Sequence, residues 1–122
     1  MKLNHLHLSV PNLTEARAFY ERFFEFRFAF EEKSINTVFL RDEANFLLAL
    51  HELNAGERVE MPTWFHFGFG QDTAEKVKRI YDELKASNIA MAKDIRSGKD
   101  WVTFSCWAPG PYQLEVSWDH LP

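Results

Sequence analysis

The sequence predicts an α+β fold in which one strand–helix–strand–strand–strand unit is used twice. Three observations point to it. Residues 3–10, 63–69 and 112–118 alternate apolar and polar side chains, the period of a half-buried strand. Two stretches, one from Leu13 to Phe24 and one from Ala74 to Leu84, carry apolar residues at three- and four-residue spacing, the stripe of an amphipathic helix. A gapless shift of 61 residues places His5 on His66, Ala16 on Val77, Tyr20 on Tyr81, Glu21 on Asp82 and Phe23 on Leu84.

In chain order, the first strand ends at Val10-Pro11, where proline removes a ladder donor. Asn12 followed by Glu15 reads as a capping box, and the stripe Leu13, Ala16, Phe19, Tyr20, Phe23, Phe24 runs to a helix end near Glu25. Residues 26–32, 35–41 and 45–51 read as strands, separated by Lys33-Ser34 and Asp42-Glu43-Ala44. Polar residues with Gly and Pro make 53–62 a linker, so 1–52 and 63–118 are the two modules of a single domain. In the second module Asp72 and Glu75 suggest another capping box. The helix ends near Ser87-Asn88, where Asn suits a left-handed cap. Residues 89–96, 101–107 and 112–118 complete the strands, with turns at Ser97-Gly98-Lys99 and Ala108-Pro109-Gly110-Pro111.

A chain of 122 residues with 46% hydrophobic residues can bury a core without staples. Its net charge of -4 argues against a nucleic-acid surface or an anionic membrane, both of which select basic faces. The single cysteine, Cys106, shares the apolar face of its strand with Phe104 and reads as a small core residue rather than a nucleophile. One unpaired cysteine, no apolar run near the ~18 residues of a membrane span, and a start without signal-peptide features together suggest the cytoplasm.

The alternation also says what lies opposite the core. Phe65, Phe67 and Phe69 form one face of their strand, which turns His66 to the other. Leu6, Leu8 and Val10 likewise turn His5 and His7 away, and Leu114, Val116 and Trp118 turn Glu115 away. Two imidazoles and a carboxylate on such faces are the donors of a divalent-metal site, and the reading is that these faces meet around one ion. His7, one step from His5, is the first candidate for an acid or base, followed by His51 and Glu52. His120, in the tail, has no role in this reading. Trp64, Trp101, Trp107, Thr103, Ser105 and Gln113, with Phe39 and Arg41, alternate onto the side of the proposed ligands. That mixture suits a small molecule with a ring or apolar part and a few polar handles, Arg41 either meeting an anionic group such as a carboxylate or phosphonate or facing solvent at its strand end.

The stretches NHLHLSVPNLTEARAFY at 4–20, WFHFGF at 64–69 and YQLEVSW at 112–118 resemble the vicinal oxygen chelate superfamily, which includes glyoxalases, extradiol dioxygenases, fosfomycin-modifying enzymes and bleomycin-resistance proteins. The resemblance covers nearly the whole chain. It implies tandem βαβββ modules forming a curved mixed sheet around a cavity. It also implies a divalent ion (Fe, Mn, Ni, Co or Zn) on His5, His66 and Glu115, and a two-fold homodimer. The implied function is a metal-dependent enzyme on a small oxygenated molecule, by isomerase, lyase, epoxide-opening or dioxygenase chemistry. The alternative is a metal-free protein that sequesters a small molecule or antibiotic, as bleomycin-resistance relatives do. Three departures stand out. Glu25 replaces a glycine common after the first helix, and Ala108-Pro109-Gly110-Pro111 replaces Asp-Pro-Asp-Gly. Ala49 occupies the place of a fourth, carboxylate ligand, with His51 two residues on.

Overall fold

In a computed structural model, which describes residues 1–120, the strands hydrogen-bond as two four-stranded mixed sheets, each with one helix. The chain divides into two compact units: residues 1–60 with 109–111, and the remainder of the described chain. This is the tandem βαβββ arrangement.

The first unit runs β1 (His5–Val10), α1 (Leu13–Phe24), β2 (Arg27–Glu32), β3 (Thr37–Arg41) and β4 (Leu47–Glu52), in sheet order β1-β4-β3-β2. β1 lies parallel to β4, and the others are antiparallel. The helix starts where the sequence places it, with Asn12 Oδ1 accepting from the Glu15 N–H at 3.0 Å. Its stripe of Ala16, Phe19, Tyr20, Phe23 and Phe24 is buried, as are Leu8, Val10, Val38, Leu40, Leu48 and Leu50 of the sheet. Each fully buried side chain of this size contributes roughly 1.5–3 kcal/mol. The helix ends at Glu25, whose φ of 58° is left-handed. A glycine would adopt this angle without the Cβ penalty, so Glu25→Gly is expected to raise stability by about 0.5–1 kcal/mol in denaturant melts. The strand expected over 35–41 begins two residues late, because Lys33–Ile35 form a 3₁₀ turn closed by Asn36 at φ 50°.

Glu52, at the end of β4, closes the first unit. Its Oε1 accepts from the Leu13 N–H at 3.0 Å and its Oε2 from the Asn36 amide at 3.1 Å. The Leu13 bond first, and then that from Asn36, hold its carboxyl below the usual value. A depressed folded-state pKa means that this stabilisation is present above the unfolded value of 4.5 and is lost as pH falls through the folded value. The melting temperature is therefore expected to fall on acidification below that value, and to fall less in Glu52→Gln.

The second unit runs β5 (Phe67–Gly70), α2 (Ala74–Ala86), β6 (Met91–Ser97), β7 (Trp101–Ala108) and β8 (Tyr112–Asp119), in sheet order β5-β8-β7-β6. Val77, Ile80 and Leu84 of α2 are buried, with Val102, Phe104, Cys106, Leu114 and Val116 of the sheet. The strand expected over 63–69 is shorter and later than the alternation suggests. β5 runs parallel to β8 with Phe67 paired to Leu114, and β8 starts only at Tyr112. Residues before 65 therefore have no ladder to join. Pro62 to Phe65 instead close a turn, the Phe65 N–H donating to the Pro62 carbonyl at 3.0 Å. The cap of α2 is Thr73 rather than Asp72, since Thr73 Oγ1 accepts from the Lys76 N–H at 3.1 Å. Cys106 is fully buried, and desolvation pushes its thiol up to about 12, which leaves it unreactive.

Candidate functional site

The polar face of the second sheet carries a pocket of about 210 Å³. His66 and Glu115 stand side by side in its wall, His66 Nε2 lying 3.8 Å from Glu115 Oε2. Each is held from behind. His66 Nδ1 is 3.0 Å from the Trp64 carbonyl, which can only accept, so Nδ1 carries a proton and in the neutral ring Nε2 keeps its lone pair. Thr103 Oγ1 donates to Glu115 Oε1 at 3.0 Å, leaving Oε2 turned toward the imidazole. The turn that cut β5 short is thus what aims His66.

Gly68 makes room for the pair. It is registered with Glu115 on the adjacent parallel strand. A Cβ there would lie 3.1 Å from the Glu115 carbonyl oxygen and 3.4 Å from its Cβ. Only glycine lets β5 approach this closely without moving the carboxylate.

Of the residues expected to bind a ligand, Trp64, Ser105 and Gln113 line this pocket with the pair. Gln113 Nε2 donates to the Thr63 carbonyl at 3.0 Å, tying β8 to the turn before His66. Thr103 acts behind the site as the clamp on Glu115. Trp101 is not among the lining residues: it sits at the start of β7 with its ring so close over Gly98 that a Cβ there would overlap it. The pocket also takes in Trp107 and, unanticipated, Lys93 and Ala92 of β6. Lys93 pairs with Ser105 between two register shifts, and irregular pairing of this kind erases the alternation that would have flagged it.

The remaining expected site residues belong to the first unit. His5, His7 and His51 occupy the sheet face opposite the buried apolar set, and strand register places His5 beside Leu47, His7 beside Ala49 and Ser9 beside His51. His5 Nδ1 lies 2.7 Å from Asn4 Oδ1. Thr37 Oγ1 donates to the Ile35 carbonyl and so accepts from His51 Nδ1, 3.0 Å away, which in the neutral ring leaves the lone pair on His51 Nε2. The His7 and His51 rings are 6.0 Å apart. Ala49 is buried and offers only a methyl, and His51 sits two register pairs beyond it on the same strand face. Arg41 donates to the Asn45 carbonyl at 2.8 Å, closing its own turn.

His66 and Glu115 fit two positions of a divalent ion: their 3.8 Å separation is within the ~4.2 Å that two bonds of about 2.1 Å span. Among the described residues no group of three or more His, Cys, Asp and Glu forms a complete ion site. No helix is long and apolar enough to cross a membrane.

Residues 2–115 match the Glyoxalase/Bleomycin resistance protein/Dioxygenase superfamily. The chain belongs to that superfamily. Solved structures share the fold of this superfamily member. A possible glyoxalase from Bacillus cereus is 30% identical, with a TM-score of 0.78 over 95% of this chain and 97% of its own. The fosfomycin resistance protein FosX from Listeria monocytogenes is 19% identical, with a TM-score of 0.80 over 99% and 95%. Lactoylglutathione lyase from Agrobacterium tumefaciens is 17% identical, with a TM-score of 0.73 over 96% and 92%. No curated protein matches the sequence significantly.

Proposed function

We propose that this superfamily member is a divalent-metal-dependent enzyme acting on a small molecule with two neighbouring oxygens, with His5, His66 and Glu115 as the ligands. The observation that carries the reading is the facing pair of His66 Nε2 and Glu115 Oε2, each fixed from behind by Trp64 or Thr103. Fixing the outer atom of each ligand sets its tautomer and direction, as expected of donors that must not move when an ion binds. His5 has the same character, with Nδ1 against Asn4 and Nε2 available. A bound ion would supply Lewis-acid chemistry and, were it Fe(II) on two histidines and one carboxylate, oxygen chemistry. His7 and His51 are the proposed acid–base groups, His51 held ready by Thr37. Isomerase, lyase, epoxide-opening and dioxygenase reactions all fit this donor set. A reducing compartment such as the cytoplasm suits the lone buried Cys106.

The working form proposed is a homodimer, with His5 supplied to each site by this chain or by a second copy. Mixing His5→Ala with His66→Ala protein, after unfolding and refolding together, tests the ligand set. If a second copy supplies His5, the mixture regains metal in up to half of its hybrid sites, whereas each variant alone holds none. If His5 acts within its own chain, neither variant nor mixture binds. Full metal in either single variant removes the proposal. An apo protein that takes up no metal yet is stabilised by an antibiotic in thermal-shift screening would establish the sequestering alternative.

A further inference from the structure

We infer that the pocket of the second unit takes a small aromatic carboxylate, its ring against the Trp64 and Trp107 indoles and its anion on Lys93. This rests on the reading above for the reaction, but not for the binding. Lys93 is aimed by its strand. It pairs with Ser105, which also lines the pocket, while the next residue, Asp94, is held by the Tyr81 hydroxyl of α2 and by the Ile95 N–H. Anchoring Asp94 to the helix side fixes the phase of β6 and turns Lys93 to the pocket side.

The Lys93 ammonium lies 5.1 Å from the centre of the Trp64 ring. Among the described residues it makes no ion pair, and the nearby Glu115 carboxylate accepts from Thr103. A cation over an exposed indole is held only weakly and keeps its N–H donors for an anion. The chain as a whole carries a net charge of -4, so its overall field does not gather anions, and a local cation at the pocket must select them. Trp64 is 79% exposed and Trp107 40% exposed, although tryptophan is mostly buried in folded proteins. Two open indoles in one pocket offer flat apolar surface for a ring. The volume of about 210 Å³ falls below the ~300–1,000 Å³ of sites for drug-sized ligands, which points to one ring rather than several.

The test compares benzoate, benzamide and cyclohexanecarboxylate by tryptophan fluorescence and calorimetry on the full chain, chelator-treated and metal-reconstituted, with metal content measured on the same samples. Benzoate is expected to bind at least about tenfold tighter than benzamide, the scale of one charged hydrogen bond. Lys93→Met should abolish that preference and Lys93→Arg retain it. Added salt should weaken benzoate and not benzamide, and Trp64→Leu should weaken benzoate more than cyclohexanecarboxylate. No measurable benzoate binding, equal binding of benzoate and benzamide, or a preference that survives Lys93→Met would overturn the inference. If metal-loaded protein shows no preference, this inference fails and the metal reading stands. If protein that takes no metal prefers benzoate through Lys93, the reverse holds.

Discussion

Glu115→Gln is expected to lower affinity for a divalent ion by more than ~100-fold while the protein stays folded. Glutamine fills the same volume and can still accept from Thr103, so the β7–β8 pairing that registers Ser105 with Glu115 should persist. What is lost is the negative charge at Oε2, the atom facing His66 at 3.8 Å. Losses for residues that merely orient a ligand run 10–100-fold, and loss of the ligand itself should exceed them. Thr103→Val, which removes only the clamp, should fall inside that lower range. Competition against a chromophoric chelator measures both, with the thermal melt as the check on folding.

The second large effect concerns the platform behind the site. Phe104→Ala is expected to cost about 3–5 kcal/mol, the range for emptying a buried aromatic position. Phe104 is 1% exposed, stands between Thr103 and Ser105 on β7, and meets the Tyr81 ring edge-on at 5.3 Å. Against a total stability of roughly 5–15 kcal/mol this is a large fraction, and denaturant melts should show it. Because Thr103 and Ser105 face the site from the same strand, metal affinity should fall with it.

Much of this arrangement is legible in the sequence because a strand's two faces are fixed by its alternation alone. Phe67 and Phe69 on one side are enough to place Gly68 on the other, and Leu114 with Val116 does the same for Glu115. The helix stripes and the Asn12 cap are legible for a similar reason: they are local. Register is not. That Gly68 lies against Glu115, or Lys93 beside Ser105, depends on pairings between strands distant in the chain. The 63–69 alternation overstated its strand because its parallel partner, starting at Tyr112, could not be aligned from sequence. Lys93 is not legible for the further reason that the register of β6 shifts on both sides of it. The contacts of Arg41 to Asn45 and of the Trp101 ring over Gly98 are likewise set by turns, which alternation within a strand does not report.

Elemental analysis of protein purified without chelator, and then reconstituted with Fe, Mn, Ni, Co and Zn in turn, tests the central claim most directly. The expected result is near-stoichiometric metal that disappears in His5→Ala, His66→Ala and Glu115→Ala. Wild-type protein that stays metal-free with all five ions, or holds its ion undiminished without His66 and Glu115, would contradict it.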